Sequence, residues 1–445
     1  MRVTRFAVAL LAAVSVAASG APARGQETEV DSLRATARTN AGDPSAALAL
    51  GRALRRAGRS AQALAELRRG IAVAASRPDS LVDLRWEVAR VHIDRHDFAQ
   101  ALAACGAIGG ARAASAERAR DHALDASAAA GHACAAEAHL IRQRATEALR
   151  ETAQALALDP RSYEAKVAEG QAEELALDIA GSEAAFRTAI GWRPDGVDAH
   201  LALGRVLLKD SRRKDEALAE LHRAAALDPD GPDALYELAM ALSPSAESTV
   251  LLEQSTRERP LFADAWLELG GQELAAGRVA DARVAAEAAV REDGKSVGPR
   301  VLLGKVALAD SRYDDAIKQG DAALKILANS APAELLVADA NAKKGEIDRA
   351  LEAYQSAWGL DRADPTALVH AAEACHVAGR DTSARAFAAK ATAEFPAWAP
   401  GWAALGDALV GQGEKGAARD AYGKALATGG PVDREAVKKK VATLR

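Results

Sequence analysis

The chain has 445 residues, a net charge of −5, and only 4% aromatic residues. So mild a charge gives no case for nucleic-acid binding, which usually needs a clustered basic face. The length alone would suggest two or three domains, but sparse aromatics and abundant alanine suit thin helical layers better than one large globular core.

The first predicted element is a leader. MRVTRFAVALLAAVSVAASGAPARGQ opens on Arg2 and Arg5, continues apolar from Phe6 to Ala18, and reaches small residues at Ala21 and Ala23. This is the form of a secretory signal peptide over residues 1–25, cleaved after Ala23 or Gly25. The apolar run is short for a bilayer span, and no later segment could span one. No cysteine follows it, so no lipid anchor is expected. The expectation is a bacterial protein, periplasmic or secreted, with no integral membrane segment after cleavage. Residues 26–43 form a short lead-in.

From Pro44 the chain is periodic. In AWLELGGQELAAGRVADA, residues 265–282, Trp266, Leu269, Gly270 and Glu273 share one helix face. Gly277 ends that helix, because glycine takes the left-handed conformation without steric penalty. A second helix then carries Ala282, Ala286 and Ala289. Two helices this short bury no core by themselves. The same pair returns every 34 residues: Leu269-Gly270, Leu303-Gly304, Val337-Ala338, Ala371-Ala372 and Leu405-Gly406. The second helix keeps step through Ala282, Ala316, Ala350, Ala384 and Ala418, and again through Ala289, Ala323, Ala357, Ala391 and Ala425. The turn glycine recurs as Gly277, Gly345, Gly379 and Gly413. A fixed period of this size marks a stacked repeat array.

These residues resemble the tetratricopeptide repeat family. Its pattern has an aromatic and Leu-Gly in the first helix, alanines and an aromatic in the second, and a closing proline. GWAALGDALVGQGEKGAARDAYGKAL (401–426) follows that pattern, and ALDP (157–160), GWRP (191–194) and ALDP (226–229) supply the proline. The resemblance covers Pro44 to Val432. It implies an all-α, right-handed α-solenoid of about eleven units with a C-terminal capping helix over 433–445. The units start near Pro44, Val82, Ala129, Tyr163, Val197, Pro232, Ala263, Val297, Ala331, Pro365 and Ala399. Three places depart from the pattern. The unit at 197 has one extra residue in its turn, the unit at 232 is short there, and residues 109–128 are an insert that reads as helix. Gly270 and Ala282 should face each other and bring two helix axes to roughly 8 Å.

Little chain is left for chemistry. There is no Gly-rich phosphate loop, no His-Glu-x-x-His, no Gly-x-Ser-x-Gly and no Cys-x-x-Cys. No catalytic residue, cofactor or metal is therefore expected. One alternative stands: His92, His96, His122, His132 and His139 fall close to Cys105 and Cys134, as in a metal- or redox-linked protein. The two cysteines lie on helices that should touch. They read either as a disulfide or, with Cys375, as small buried hydrophobes. Arg52, Arg55, Arg56, Arg59, Arg68 and Arg69 crowd the first unit, as an electropositive entrance or as a solvated end of the array.

By the resemblance, the fifth, ninth and twelfth residues of each unit look into a concave face that holds a partner. This implies a non-catalytic scaffold or adaptor for a protein or peptide, in a cell-envelope assembly such as a pilus, secretion, outer-membrane or polysaccharide-export machinery. The groove residues expected to carry binding are Arg52, Trp86, Arg90, Leu201, Arg205, Tyr236, Leu267, Lys305, Leu335 and Asp339. The fifth column is apolar throughout, so some of it must pack adjacent first helices instead.

Overall fold

The computed structural model describes residues 24–74, 78–110, 122–259 and 262–444. The leader up to residue 23 and residues 111–121 of the insert lie outside the described residues. The described residues are helical, with no strand among them and one isolated bridge between Trp398 and Gly429. They form two compact units, one up to residue 261 and one from Phe262 onward.

In the first unit, α1 (Arg24–Thr39) precedes six helix pairs: α2 (Pro44–Arg56) with α3 (Ser60–Val73), α4 (Pro78–Asp94) with α5 (Phe98–Gly110), α6 (His122–Ile141) with α7 (Ala145–Leu158), α8 (Tyr163–Leu175) with α9 (Ile179–Trp192), α10 (Val197–Leu207) with α11 (Lys214–Leu227), and α12 (Pro232–Leu242) with α13 (Ala246–Glu258). The second unit has five pairs: α14 (Ala263–Ala275) with α15 (Val279–Glu292), α16 (Val297–Ala309) with α17 (Tyr313–Ile326), α18 (Ala331–Lys344) with α19 (Ile347–Leu360), α20 (Thr366–Val377) with α21 (Asp381–Glu394), and α22 (Ala399–Gly411) with α23 (Lys415–Ala427). α24 (Arg434–Thr443) follows them. Each unit is thus an α-solenoid of consecutive pairs, each pair packed on the next. The helices of the second and third pairs begin at Pro78 and His122, ahead of Val82 and Ala129.

Local chemistry explains the boundaries. Asp43, Ser162, Asp178, Ser245, Ser330 and Asp433 accept backbone N–H bonds at helix starts, satisfying donors a helix leaves open there. The turn between paired helices puts one residue in the left-handed region. Gly277, Gly345, Gly379 and Gly413 hold it with φ of 75, 84, 71 and 79°. The same turn position is filled by His96, Gln143, Leu177 and Ser311, at φ 57, 56, 66 and 58°. The tertiary turn therefore imposes this conformation even where the sequence lacks glycine.

The core is a sum of layers. Ala282, Ala316, Ala350, Ala384 and Ala418 are all fully buried, as small residues at helix crossings must be. A Cβ on Gly270 would stand 2.8 Å from Leu302 Cδ2 and 3.4 Å from the Ala282 carbonyl oxygen. Gly270 thus faces Ala282 and also admits a side chain from the next pair. The lead-in is helical: α1 buries Val30 and Ala37 against Leu50, Ala53 and Leu54. At the other end α24 buries Val437 with Leu409, Tyr422 and Leu444. α13 differs from the other second helices. Its buried residues are Ser248, Leu252, Ser255 and Thr256; Ser248 and Ser255 donate to the carbonyls of Ala239 and Pro232, each at 2.8 Å.

Candidate partner-binding site

Three ninth-position carboxylates, Asp339, Glu373 and Asp407, stand on the consecutive first helices α18, α20 and α22. Two have hydrogen-bond partners. Tyr354 of α19 donates its hydroxyl to Asp339 at 2.8 Å, and His370 Nδ1 lies 2.9 Å from the same oxygen. Tyr422 of α23 donates to Asp407 at 2.6 Å, and Lys440 of α24 donates to both Asp407 oxygens, at 2.6 and 2.8 Å. Gly406 makes this possible: a Cβ there would collide with the Tyr422 ring.

The middle carboxylate has neither partner. Where the flanking repeats have Tyr354 and Tyr422, this repeat has Ala388; where the helix before has His370, α22 has Ala404. Both alanines are buried and nonpolar. Glu373 is exposed and makes no hydrogen bond or ion pair to a described residue. The protein around it still displaces bulk water. Burial therefore raises its pKa, with Asp407 and Asp339 adding to the effect and His370 and Lys440 opposing it. Burial works against a charged His370, but the hydrogen bond and charge of Asp339 outweigh it and raise its pKa. Burial and then Asp339 push Tyr354 well above the ordinary phenol range, so it stays a donor.

These groups wall a cavity of about 720 Å³. The ninth residues Asp339, Glu373 and Asp407 line it together with the twelfth residues Ala342, His376 and Val410. α24 adds Lys440, Thr443 and Leu444 to the wall. The volume lies within the roughly 300–1,000 Å³ of ligand-sized cavities.

Several other ninth-row residues are engaged by their neighbours. Arg90 pairs with Glu137 at 3.0 Å, Trp86 donates its indole N–H to Glu137 at 2.8 Å, and the Arg90 guanidinium lies 5.9 Å from the Trp86 ring centroid. Arg205 and Lys209 share Glu174 at 2.9 and 3.0 Å. Despite its burial, these two cations hold Glu174 below the usual carboxylate range. Arg52 is exposed and reaches buried Glu87 at 3.4 Å. Lys305 is exposed, while Leu201, Tyr236, Leu267 and Leu335 are half-buried along the first helices. In the fifth column, Ala133, Val167, Val301 and Val369 are buried core. Three arginines of the first repeat are paired: Arg55 with Glu87 and Asp94, Arg56 with Glu29, and Arg69 with Glu66.

The metal-linked alternative loses its two thiol ligands. Cys105 and Cys134 are joined in a disulfide, with Cα atoms 5.5 Å apart, so neither is a free thiolate ligand. Among the described residues, no three His, Cys, Asp or Glu side chains come together as a metal site. His132 lies 2.8 Å from Glu151, while His92 and His139 are buried. Cys375 is free and buried.

Tyr354, His370, Glu373 and Lys440 were absent from the residues expected to carry binding. The signal was in the columns: Tyr354, Ala388 and Tyr422 share one, as do His370 and Ala404. Lys440 lies outside the repeat, and no column announces it.

Comparison with known proteins locates the repeat. Family models of the tetratricopeptide repeat match residues 250–297, 274–332 and 341–408. No curated protein matches the sequence. Among solved structures, yeast Tom70 is similar at 12% identity and a TM-score of 0.45, over 94% of this chain and 92% of that one. The Cut9 and Hcn1 assembly of the APC/C is similar at 18% identity and 0.41, over 94% and 87%. The pilF protein of Pseudomonas aeruginosa is similar at 19% identity and 0.38, over 45% and 92%. Among the described residues, no helix is long and apolar enough to cross a membrane. The segments 250–332 and 341–408 are tetratricopeptide repeats, and the stacked helix pairs around them have the fold of that repeat.

Proposed function

We propose that this chain is a non-catalytic scaffold that holds a segment of a partner protein along its first-helix surface, in a bacterial cell-envelope assembly. The observation that carries the reading is the cavity wall. It is built from ninth and twelfth residues of successive first helices, with charged groups beside open apolar surface. The Cys105–Cys134 disulfide supports an oxidising compartment, as does the leader at residues 1–25.

The test is a photo-crosslinking residue placed at Val410, on the cavity wall, or at Gln355, on the exposed side of α19. Crosslinking in the native envelope followed by mass spectrometry should join a protein to the Val410 variant and not to the Gln355 variant. The reverse pattern would show that the partner sits on the second-helix surface.

A further inference from the structure

We propose that the Glu373 cavity recognises a lysine or arginine side chain, presented by the partner segment next to apolar residues. The inference rests on the scaffold reading above and names the chemistry of its occupant.

The structure shows twice what engages a ninth-position carboxylate on this wall: a tyrosine hydroxyl from the paired second helix, and a basic nitrogen, imidazole or ammonium, from the next helix in the stack. Asp339 has Tyr354 and His370; Asp407 has Tyr422 and Lys440. Ala388 and Ala404 remove both groups from Glu373. An external cation seated on Glu373 would restore the pattern its neighbours complete internally. His370 and Lys440 are already engaged by Asp339 and Asp407, which leaves Glu373 as the carboxylate open to a newcomer. Lys343 also lines the cavity, but it is not among the leading charges acting on Glu373.

The surroundings specify the rest of the occupant. Val377 is 87% exposed and Val410 39% exposed, and both line the cavity. Open aliphatic surface beside a solitary carboxylate complements a long cationic side chain. Such a chain buries its methylenes along apolar surface while its charged end makes the ion pair. Burial around Glu373 makes its own charge costly, so an arriving cation should promote deprotonation, and affinity should rise with pH across the range where Glu373 ionises.

The experiment uses a phage-displayed random peptide library panned on the full oxidised chain and, in parallel, on Glu373→Gln. The substitution is isosteric at an exposed position, and thermal melts confirm that both proteins are folded. Peptides retained by the wild type should be enriched in Lys or Arg flanked by apolar residues, and that enrichment should vanish on Glu373→Gln. For the best synthetic peptide, Glu373→Gln and replacement of the peptide cation by Gln should each weaken binding about ten-fold. The double change should be no worse than either alone. Retained peptides with no cationic preference, or equal affinity for Glu373→Gln, would overturn this inference while leaving the scaffold reading intact. If the wild type retains no peptide, both fall.

Discussion

Tyr354 donates its hydroxyl to Asp339 across the space between the two helices of one pair, at 2.8 Å. The phenol is almost completely buried, and its acceptor is a carboxylate. Tyr354→Phe removes the donor and leaves Asp339 held by His370 alone. Hydrogen bonds to charged groups contribute roughly 1.5–3 kcal/mol, so unfolding of the C-terminal unit should lose about 2 kcal/mol. Denaturant titration read by Trp358, in the same buried cluster, checks this. An unchanged midpoint would mean that the bond contributes nothing net.

A second expectation concerns acid. His92 and His139 are buried, and neither Nδ1 has a hydrogen-bond partner. Burial lowers both pKa values. Around His92, Asp97 opposes the shift while Arg95 and Arg68 reinforce it; around His139, Glu151 and Glu147 oppose it and Arg142 and Arg144 reinforce it. The unfolded chain therefore takes up protons before the folded one does. The stability these residues contribute is full above the unfolded value of about 6.5 and falls as the pH drops through it. His370, raised by Asp339, behaves oppositely: its contribution is full below the unfolded value and is lost as pH rises through its folded value. Hydrogen exchange at pH 7 and pH 5 should show α4 and α6 loosening at the lower pH, while α18 and α20 do not.

Backbone strain gives a third test. Leu177 is 83% exposed and sits at φ 66°, where a side chain costs about 1–2 kcal/mol. Leu177→Gly should raise stability by up to about 1 kcal/mol once the greater entropy of glycine in the unfolded chain is set against that relief. Gly379→Ala, at φ 71° with open space around it, should lower stability by about 1 kcal/mol. Thermal melts of the two variants should move in opposite directions.

The buried face of α13 supplies a fourth. Ser248 and Ser255 occupy places where α15 buries Ala282 and Ala289, and Thr256 adds a third buried hydroxyl. Buried hydroxyls need their hydrogen bonds and add little apolar transfer energy. Amide exchange should be faster over 232–258 than over 263–330, because an array of repeats opens segment by segment. Uniform protection across both stretches would refute this.

The disulfide supplies the fifth. Protein purified under oxidising conditions without reductant should hold one free thiol, Cys375, unreactive until unfolded because it is buried. Non-reducing digestion should yield the Cys105 and Cys134 peptides joined. Three free thiols would exclude the bridge.

The sequence by itself determined the repeat. Small residues at helix crossings and glycine at the turns are required wherever they occur, so a period of 34 is visible without coordinates. It showed Gly270 against Ala282 and the left-handed Gly277, Gly345, Gly379 and Gly413, because these depend on local sterics. It left Cys105 and Cys134 with two readings, since the pairing depends on how far apart α5 and α6 come to rest. The left-handed Leu177 was invisible, because only the packed turn forces it. The tertiary structure also decided which ninth-position charges remain open. Arg90 and Arg205 look available as letters but are engaged by Glu137 and Glu174 on neighbouring first helices. Glu373 looks like one acid in a row of three, yet it alone of that row has no partner among the described residues. Its partners would have come from residues 15 and 31 positions farther along the chain, and charge satisfaction depends on what the fold brings within hydrogen-bonding distance.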